Sequence, residues 1–229
     1  MNYEYFDAVL GKRESKKLRY QTWAKRDGDI IYIQHFETPI LQFFKNGKVI
    51  YSTEGWRTKT TKDRLNAYGP LNIYSNSGLW WVGDYGDPMG VYKDGMIYHK
   101  GKLYNTATKN EINRYNKLKK ASLKYTRDFI NAALNGELSS DLRGDCFYCQ
   151  AGIFEQGRTS HVISHIKENY FVPSMLYHGL NIAGAGPYIY LMVKEALDGT
   201  IQEYNKSTAA FYMKSALRRV VNQAVLATL

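Results

Sequence analysis

The hydrophobic pattern of this chain changes its period near residue 107, and this change limits the architectures that the chain can adopt. Before that point, short runs alternate apolar and polar residues, as in IIYIQHF over residues 30–36, which is typical of half-buried β-strands. Beyond it, apolar residues recur at spacings of three and four, which indicates amphipathic helices. The pattern therefore predicts an α+β protein. We expect an antiparallel, hairpin-rich region over residues 1–106 and a helical region over residues 107–229.

The N-terminal strands are separated by dipeptides that favour tight turns. These are Asn-Gly at 46–47, Ser-Gly at 77–78 and Asp-Gly at 94–95. Glycine, asparagine and aspartate tolerate the positive φ angles that such turns require. We predict a β-hairpin at each of the three positions.

Helix signals are clearest in the second half of the chain. One short helix is predicted among the strands, over TKDRLNAYG, with Thr60 or Thr61 as its N-cap. Thr108 and Glu111 have the spacing of a capping box and predict a long helix over 109–134. Further helices are expected over 160–170, 174–183, 187–198 and 208–228.

The only two cysteines lie in a short stretch that also contains two of the five histidines. Cys146 and Cys149 are two residues apart, eleven residues follow, and His161 and His165 are separated by three residues. Two thiolates from one knuckle and two imidazoles at i and i+4 of a helix suit a tetrahedral ion. The spacing predicts a structural zinc knuckle with these four ligands, because four protein ligands leave no open position for catalysis. The alternatives are a redox Cys-x-x-Cys pair, or buried cysteines with unrelated histidines.

The net charge of +10 is distributed unevenly along the chain. Residues 137–203, which contain the Cys/His stretch, carry eight acidic and four basic residues, so a polyanion would bind elsewhere. Solvated side chains are the alternative interpretation of the basic residues in the 109–134 helix and in the 57–64 segment. The candidate nucleic-acid-binding residues are Lys12, Arg13, Lys16, Lys17, Arg19, Arg57, Lys59, Lys62, Arg64, Lys117, Lys120, Lys124 and Arg127.

A second motif, GWRTKTTKDRLN over residues 55–66, places threonines and cations at a helix start, where anions bind readily. Together with SGLWWV and YKDGM it resembles uncharacterised proteins encoded by bacteriophages and related mobile elements, which share a GWRTxTTxxRxN-like core. The resemblance covers residues 18–98 and implies a phage origin without implying an activity. The matching positions are Thr22, His35, Thr38, Gly55, Arg57, Thr58, Thr61, Arg64 and Asn66.

Three functions from different classes are compatible with these features. The first is a zinc-stabilised nucleic-acid-binding accessory or regulatory protein that contacts DNA or RNA, with Trp56, Trp80 and Trp81 available to stack on unpaired bases. The second is a phage protein-interaction module that targets the host or its defences, whose basic surface meets an acidic host protein. The third is a zinc-dependent hydrolase or nuclease, in which one of the four ligands would have to leave the metal.

No residue set in the sequence proposes a reaction, so an enzyme is not the expected class. No apolar run approaches the roughly 20 residues that a membrane-spanning helix needs. The N-terminus carries charges where a secretory signal would be apolar. We therefore expect no membrane partner and a cytoplasmic location, in the host cell if the protein is phage-encoded.

Overall fold

The computed structural model describes residues 1–142, 145–151 and 159–229. Contacts divide the chain into two compact units, residues 1–112 together with Leu229 and residues 113–228. The first unit is built mainly from antiparallel strands and the second from helices. The predicted α+β class is therefore confirmed.

The strands of the first unit form a seven-stranded and a three-stranded sheet. The larger sheet has the order β1-β2-β3-β4-β5-β9-β10, the smaller one has the order β6-β7-β8, and the paired strands run antiparallel. The strands are β1 (Ser15–Arg19), β2 (Thr22–Asp27), β3 (Ile30–His35), β4 (Thr38–Phe44), β5 (Val49–Tyr51), β6 (Ile73–Asn76), β7 (Leu79–Asp84), β8 (Asp87–Val91), β9 (Met96–His99) and β10 (Lys102–Tyr104).

Two of the three predicted hairpins are present, and the third is wrong. β4 pairs with β5 across the turn at 46–47, and β6 pairs with β7 across the turn at 77–78. The turn at 94–95 instead joins β8 of the small sheet to β9 of the large sheet. β9 pairs with β5 and β10, so the Asp-Gly dipeptide connects strands of two different sheets rather than two paired strands of one hairpin. Turn chemistry is local, whereas the choice of strand partner depends on contacts distant in sequence.

Two helices accompany the strands of the first unit. α1 (Tyr3–Leu10) was not predicted; it buries Tyr3, Phe6 and Leu10, and the Phe6 ring lies 5.0 Å from that of Phe43 in the sheet core. α2 (Lys59–Tyr68) is the predicted short helix. The N-cap of α2 is Thr58 and not Thr60 or Thr61, because the Thr58 hydroxyl accepts the Thr61 amide at 3.1 Å.

The predicted helices of the second half are present with bounds within two residues, except that the last one begins at Glu203 rather than at residue 208. Thr108 and Glu111 form the predicted capping box, with the Thr108 amide 2.8 Å from Oε2 of Glu111. The short α4 was not predicted. The helices are α3 (Lys109–Leu134), α4 (Phe147–Gln150), α5 (Thr159–Glu168), α6 (Pro173–Ile182), α7 (Pro187–Leu197) and α8 (Glu203–Leu226).

The second unit is centred on the packing of α6 against α8. Gly179 of α6 lies so close to the Ala216 backbone of α8 that an added Cβ would stand 2.4 Å from the Ala216 carbonyl oxygen. Only glycine permits this approach. Among the described helices, none is long and apolar enough to cross a lipid bilayer.

Candidate metal centre and basic surfaces

Four side chains from two short segments, residues 146–149 and 161–165, converge at one point of the second unit. The ligand atoms of Cys146, Cys149, His161 and His165 all lie within 4.8 Å of one another. Sγ of Cys149 is 3.3 Å from Nε2 of His161 and 3.7 Å from Nε2 of His165. A tetrahedral zinc ion at its usual bond lengths spaces a sulfur and a nitrogen ligand about 3.6 Å apart. The cluster is therefore close enough to hold one metal ion.

Short local structure presents each pair of ligands. Cys146 is the N-cap of α4 and Cys149 lies within that four-residue helix, so both thiols project from one turn. His161 and His165 lie on α5 and are four residues apart, which places them on the same side of the helix. Their ring centroids are 5.6 Å apart. Cys149 and His165 are buried, while Cys146 and His161 are half-buried.

Asp145 anchors this cluster to α6, and sequence reasoning missed it. Its Oδ1 accepts the Cys146 amide at 2.7 Å, and its Oδ2 accepts the Ser174 amide at 2.8 Å. Ser174 lies in the first turn of α6, where amides lack intrahelical acceptors. An acidic residue directly before the first cysteine was the available signal, but nothing in the sequence indicated the second partner.

Tyrosine side chains flank the histidines. The ring of Tyr170 lies 5.3 Å from that of His165, and the ring of Tyr148 lies 5.9 Å from that of His161. The Tyr125 hydroxyl donates to the Tyr170 carbonyl at 2.9 Å, which holds this segment against α3. An aromatic ring therefore lies beside each of the two histidines.

Burial favours the neutral forms of Cys149 and His165 when no metal is bound. Burial raises the pKa of the Cys149 thiol, and the neighbouring Cys146 raises it further. Burial lowers the pKa of His165, and His161 adds to this effect. Neutral imidazole is the form that binds metal, whereas a thiol must lose its proton to do so. Metal binding at this cluster would therefore release protons.

The basic residues of α3 lie together on its exposed side. We call Lys117, Lys120, Lys124 and Arg127 the α3 basic face; all four are exposed, and they follow one another at spacings of three and four. Asp128 accepts hydrogen bonds from Lys124 at 2.8 Å and from Arg127 at 3.0 Å. One carboxylate thus offsets part of the four positive charges.

The N-terminal basic residues surround an edge strand. β1 is the first strand of the large sheet and carries Lys16, Lys17 and Arg19. Charged side chains on an edge strand also prevent association with other strands. Lys16 donates to the Val9 carbonyl at 3.4 Å, and Arg13 donates to the Leu10 carbonyl at 3.3 Å. Lys12 and Arg19 are exposed.

The cations of the 57–64 segment mostly contact their own unit. Arg64 donates through Nε to the Thr22 hydroxyl at 3.1 Å, and Lys62 donates to the Ser75 hydroxyl at 2.6 Å. The guanidinium of Arg57 lies 5.2 Å from the ring centroid of buried Tyr92. Lys59 is exposed on the first turn of α2. The four cations therefore do not form one exposed surface.

Hydrogen bonds around α2 also involve three of the matching positions, Thr22, His35 and Asn66. Buried His35 lies with Nδ1 3.1 Å from the Thr22 hydroxyl, the same group that Arg64 binds. Asn66 pairs with both the amide and the carbonyl of Ile73, at 2.7 and 2.9 Å. These contacts attach α2 to both sheets of the first unit, so much of this motif has a structural role.

The tryptophans differ in their exposure. Trp56 is 53% exposed, whereas Trp80 is 8% exposed and packs against Tyr92 with ring centroids 5.5 Å apart. Trp80 is consequently unable to stack on a base, and that expectation is wrong. Trp81 is half-buried.

Comparisons of the whole chain with protein-family models, with curated proteins and with solved structures give no match.

Proposed function

We propose that the Cys146, Cys149, His161 and His165 cluster binds one Zn²⁺ as a structural ion. The observation that carries this proposal is the convergence of the four ligand atoms within 4.8 Å of one another. Two thiolates and two imidazoles form a complete tetrahedral set, which leaves no position for a substrate or an activated water. Bound zinc would crosslink α4 to α5 and neutralise the buried thiolates. The closed ligand set argues against a zinc-dependent hydrolase or nuclease.

We further propose that this zinc-stabilised protein binds nucleic acid through the α3 basic face. The supporting observation is the exposed row from Lys117 to Arg127, which extends about 15 Å along the helix at 1.5 Å per residue. Lysine and arginine in such a row contact successive phosphates and release counterions. These contacts carry little sequence information, so the proposal is an accessory or regulatory role. A bacteriophage origin rests on the motif resemblance.

The experiment measures binding by the fluorescence anisotropy of labelled duplex DNA and labelled single-stranded RNA, at salt concentrations between about 50 and 200 mM. The test variant changes Lys117, Lys120, Lys124 and Arg127 to glutamine. The matched control changes four other exposed lysines, so that the net charge falls equally: Lys45, Lys100, Lys102 and Lys167. We expect binding that weakens steeply with salt and is lost selectively in the test variant, with a shallower salt slope. Absence of binding at low salt, or equal loss in both variants, contradicts the proposal.

A protein-interaction module is the second candidate, and one observation favours it. Tyr204 and Phe211 lie seven residues apart on α8 and are 79% and 68% exposed. Aromatic side chains presented on one helix face are common anchors in protein interfaces. The experiment is a pull-down of host proteins after nuclease treatment. Retention of an acidic host protein by the wild type would favour this function over nucleic-acid binding, provided that Phe211→Ser abolishes the retention. Tyr85→Ser, a matched change at an exposed position of the first unit, should keep it.

A further inference from the structure

A cleft on the small sheet of the first unit is lined mainly by aromatic side chains. Its volume is about 280 Å³, close to the lower limit of about 300 Å³ for small-molecule sites. Tyr74 of β6 and Trp81 of β7 lie directly opposite each other in this sheet, and Tyr85 belongs to the turn between β7 and β8. The residues that line this aromatic cleft are Tyr74, Asn76, Trp81, Tyr85, Gly86 and Pro88.

The three aromatic residues offer the cleft ring surface. Tyr85 is 82% exposed, and its ring centroid lies 5.3 Å from that of Tyr74 at an interplanar angle of 60°. Trp81 is half-buried and its Nε1 is buried, so the indole meets a ligand with its carbon atoms and not with its N–H group. The faces of aromatic rings carry partial negative charge and attract cations. The cleft therefore suits an apolar cation better than it suits a carboxylate or a phosphate.

The sequence around the cleft is acidic, although the chain has a net charge of +10. Residues 66–92 contain no lysine or arginine, and their two charged residues are Asp84 and Asp87. Both aspartates are exposed and flank Tyr85 and Gly86 in the chain, so their carboxylates lie within about 10 Å of the cleft, which is one Debye length at about 0.1 M salt. They are directly opposite each other on β7 and β8, an arrangement that is destabilising for like charges. A bound cation would offset this repulsion.

No ion pair neutralises these two carboxylates within the part of the chain that the structure describes. Lys62 reaches the small sheet from α2, but its ammonium donates to the Ser75 hydroxyl at 2.6 Å and lies 5.9 Å from the ring centroid of Trp80. Neither Ser75 nor Trp80 lines the cleft. The negative charge beside the cleft therefore remains to attract a ligand.

We propose that the aromatic cleft binds a small organic cation that carries a quaternary ammonium group. Such a group has an apolar surface and no N–H donors, so aromatic rings bind it in preference to a strongly hydrated ion such as sodium. The two carboxylates add attraction over a longer range, and the same charge repels the phosphate of a nucleotide. The cleft belongs to the first unit, whereas the metal cluster and the α3 basic face belong to the second. The two sites can therefore be tested separately.

The experiment titrates the full chain with choline chloride and follows the tryptophan indole N–H signals by NMR, at ionic strength held constant with sodium chloride. The matched ligand is the neutral alcohol in which a tert-butyl group replaces the trimethylammonium group of choline. We expect choline to bind with a dissociation constant of about 1 mM, and the neutral alcohol to bind at least about fivefold more weakly. Equal binding of the two ligands, or no binding of choline, overturns the proposal.

Variants of the cleft test where the cation binds. Trp81→Leu should weaken choline binding at least about tenfold and Tyr85→Leu at least about threefold, because each change removes one aromatic ring. Trp56→Leu, which changes a tryptophan that is 53% exposed and lies outside the cleft, should leave choline binding unchanged. Because Tyr85 is exposed, Tyr85→Leu keeps the proposal testable if Trp81→Leu fails to fold. Choline binding that Tyr85→Leu leaves unchanged overturns the proposal.

Two further measurements test the carboxylates and the source of the ammonium group. Asp84→Asn should weaken choline binding about twofold and leave binding of the neutral alcohol unchanged, since only the charge is removed; an equal loss for both ligands would overturn the role of this carboxylate. A short neutral peptide with one trimethyllysine carries the same group on a protein. Binding of this peptide at least about tenfold tighter than choline overturns the assignment to a small molecule, and comparable binding supports it.

Discussion

The carboxylate of Asp94 binds both the backbone amide and the side-chain hydroxyl of Thr53, which is 41 residues away in sequence. Thr53 is completely buried, so the loop before α2 is attached to the turn between β8 and β9. Because this turn joins the two sheets of the first unit, one side chain stabilises a connection that no local pattern specifies.

We expect Asp94→Asn to lower the free energy of unfolding by about 1–3 kcal/mol. The asparagine side chain puts an NH₂ group where one carboxylate oxygen of Asp94 accepts hydrogen bonds, so N–H and O–H donors of the loop would face another donor. Urea unfolding measures the change. Asp87→Asn, at an exposed position of β8, is the matched control and should change stability by less than about 0.5 kcal/mol. Equal effects of the two changes on the free energy of unfolding would show that the hydrogen bonds of Asp94 do not stabilise the first unit.

Removing one cysteine from the candidate metal cluster should abolish the proposed zinc crosslink between α4 and α5. We expect Cys149→Ala to reduce bound zinc from one ion per chain to near zero, and to destabilise the helical unit in the way that a chelator destabilises the wild type. Metal analysis together with chelator-dependent unfolding measures both effects. His99→Ala, which changes a histidine on β9 outside the cluster, should retain the metal. Full zinc content in Cys149→Ala would refute this ligand set.

The hydrogen bond from Arg64 to Thr22 should couple α2 to the large sheet. A double-mutant cycle with Arg64→Met and Thr22→Val isolates the interaction, because the atoms are 3.1 Å apart and the residues are 42 positions apart in sequence. We expect a coupling energy of about 1.5–3 kcal/mol, typical of a hydrogen bond from a charged donor. Additive effects would mean that the hydrogen bond from Arg64 to Thr22 does not contribute to the stability of the first unit.

His35 should make the first unit less stable in mild acid. Burial lowers the pKa of His35, with a further contribution from Arg64, below its ordinary value of 6.5. The unfolded chain then binds a proton more readily than the folded chain, so the free energy of unfolding falls as pH decreases below about 6.5. His35→Gln should flatten this dependence between pH 7.5 and the folded pKa. An unchanged slope in the variant would assign the pH dependence to other groups.

Glu111 should contribute stability that is lost only in stronger acid. Its hydrogen bond with Lys93, together with those from Thr108, lowers the pKa of Glu111 from 4.5 to about 2. The contribution is present above pH 4.5 and disappears as the pH falls toward about 2. Glu111→Gln keeps the capping-box geometry and removes the charge, so its acid-unfolding curve should be less steep. Glu14→Gln, at an exposed position, is the control.

Features that depend on neighbouring residues could be predicted from the sequence. The long helix over 109–134 was predicted with the bounds that the structure has, because a capping box and a sustained spacing of three and four are local signals. The four metal-ligand candidates were identified in the same way, since cysteine and histidine spacing reflects the local geometry of a turn and a helix. In these cases the sequence by itself determined the helix and the set of side chains that converge.

The tertiary structure decided what distant residues do to one another. It buried Trp80 and placed Arg57 over Tyr92, and it assigned Asp145 a second partner on α6. It also decided that the turn at 94–95 connects β8 of the small sheet to β9 of the large sheet. The physical reason is that strand pairing and burial depend on the sum of many contacts between residues far apart in sequence, and the same local pattern is compatible with several such pairings.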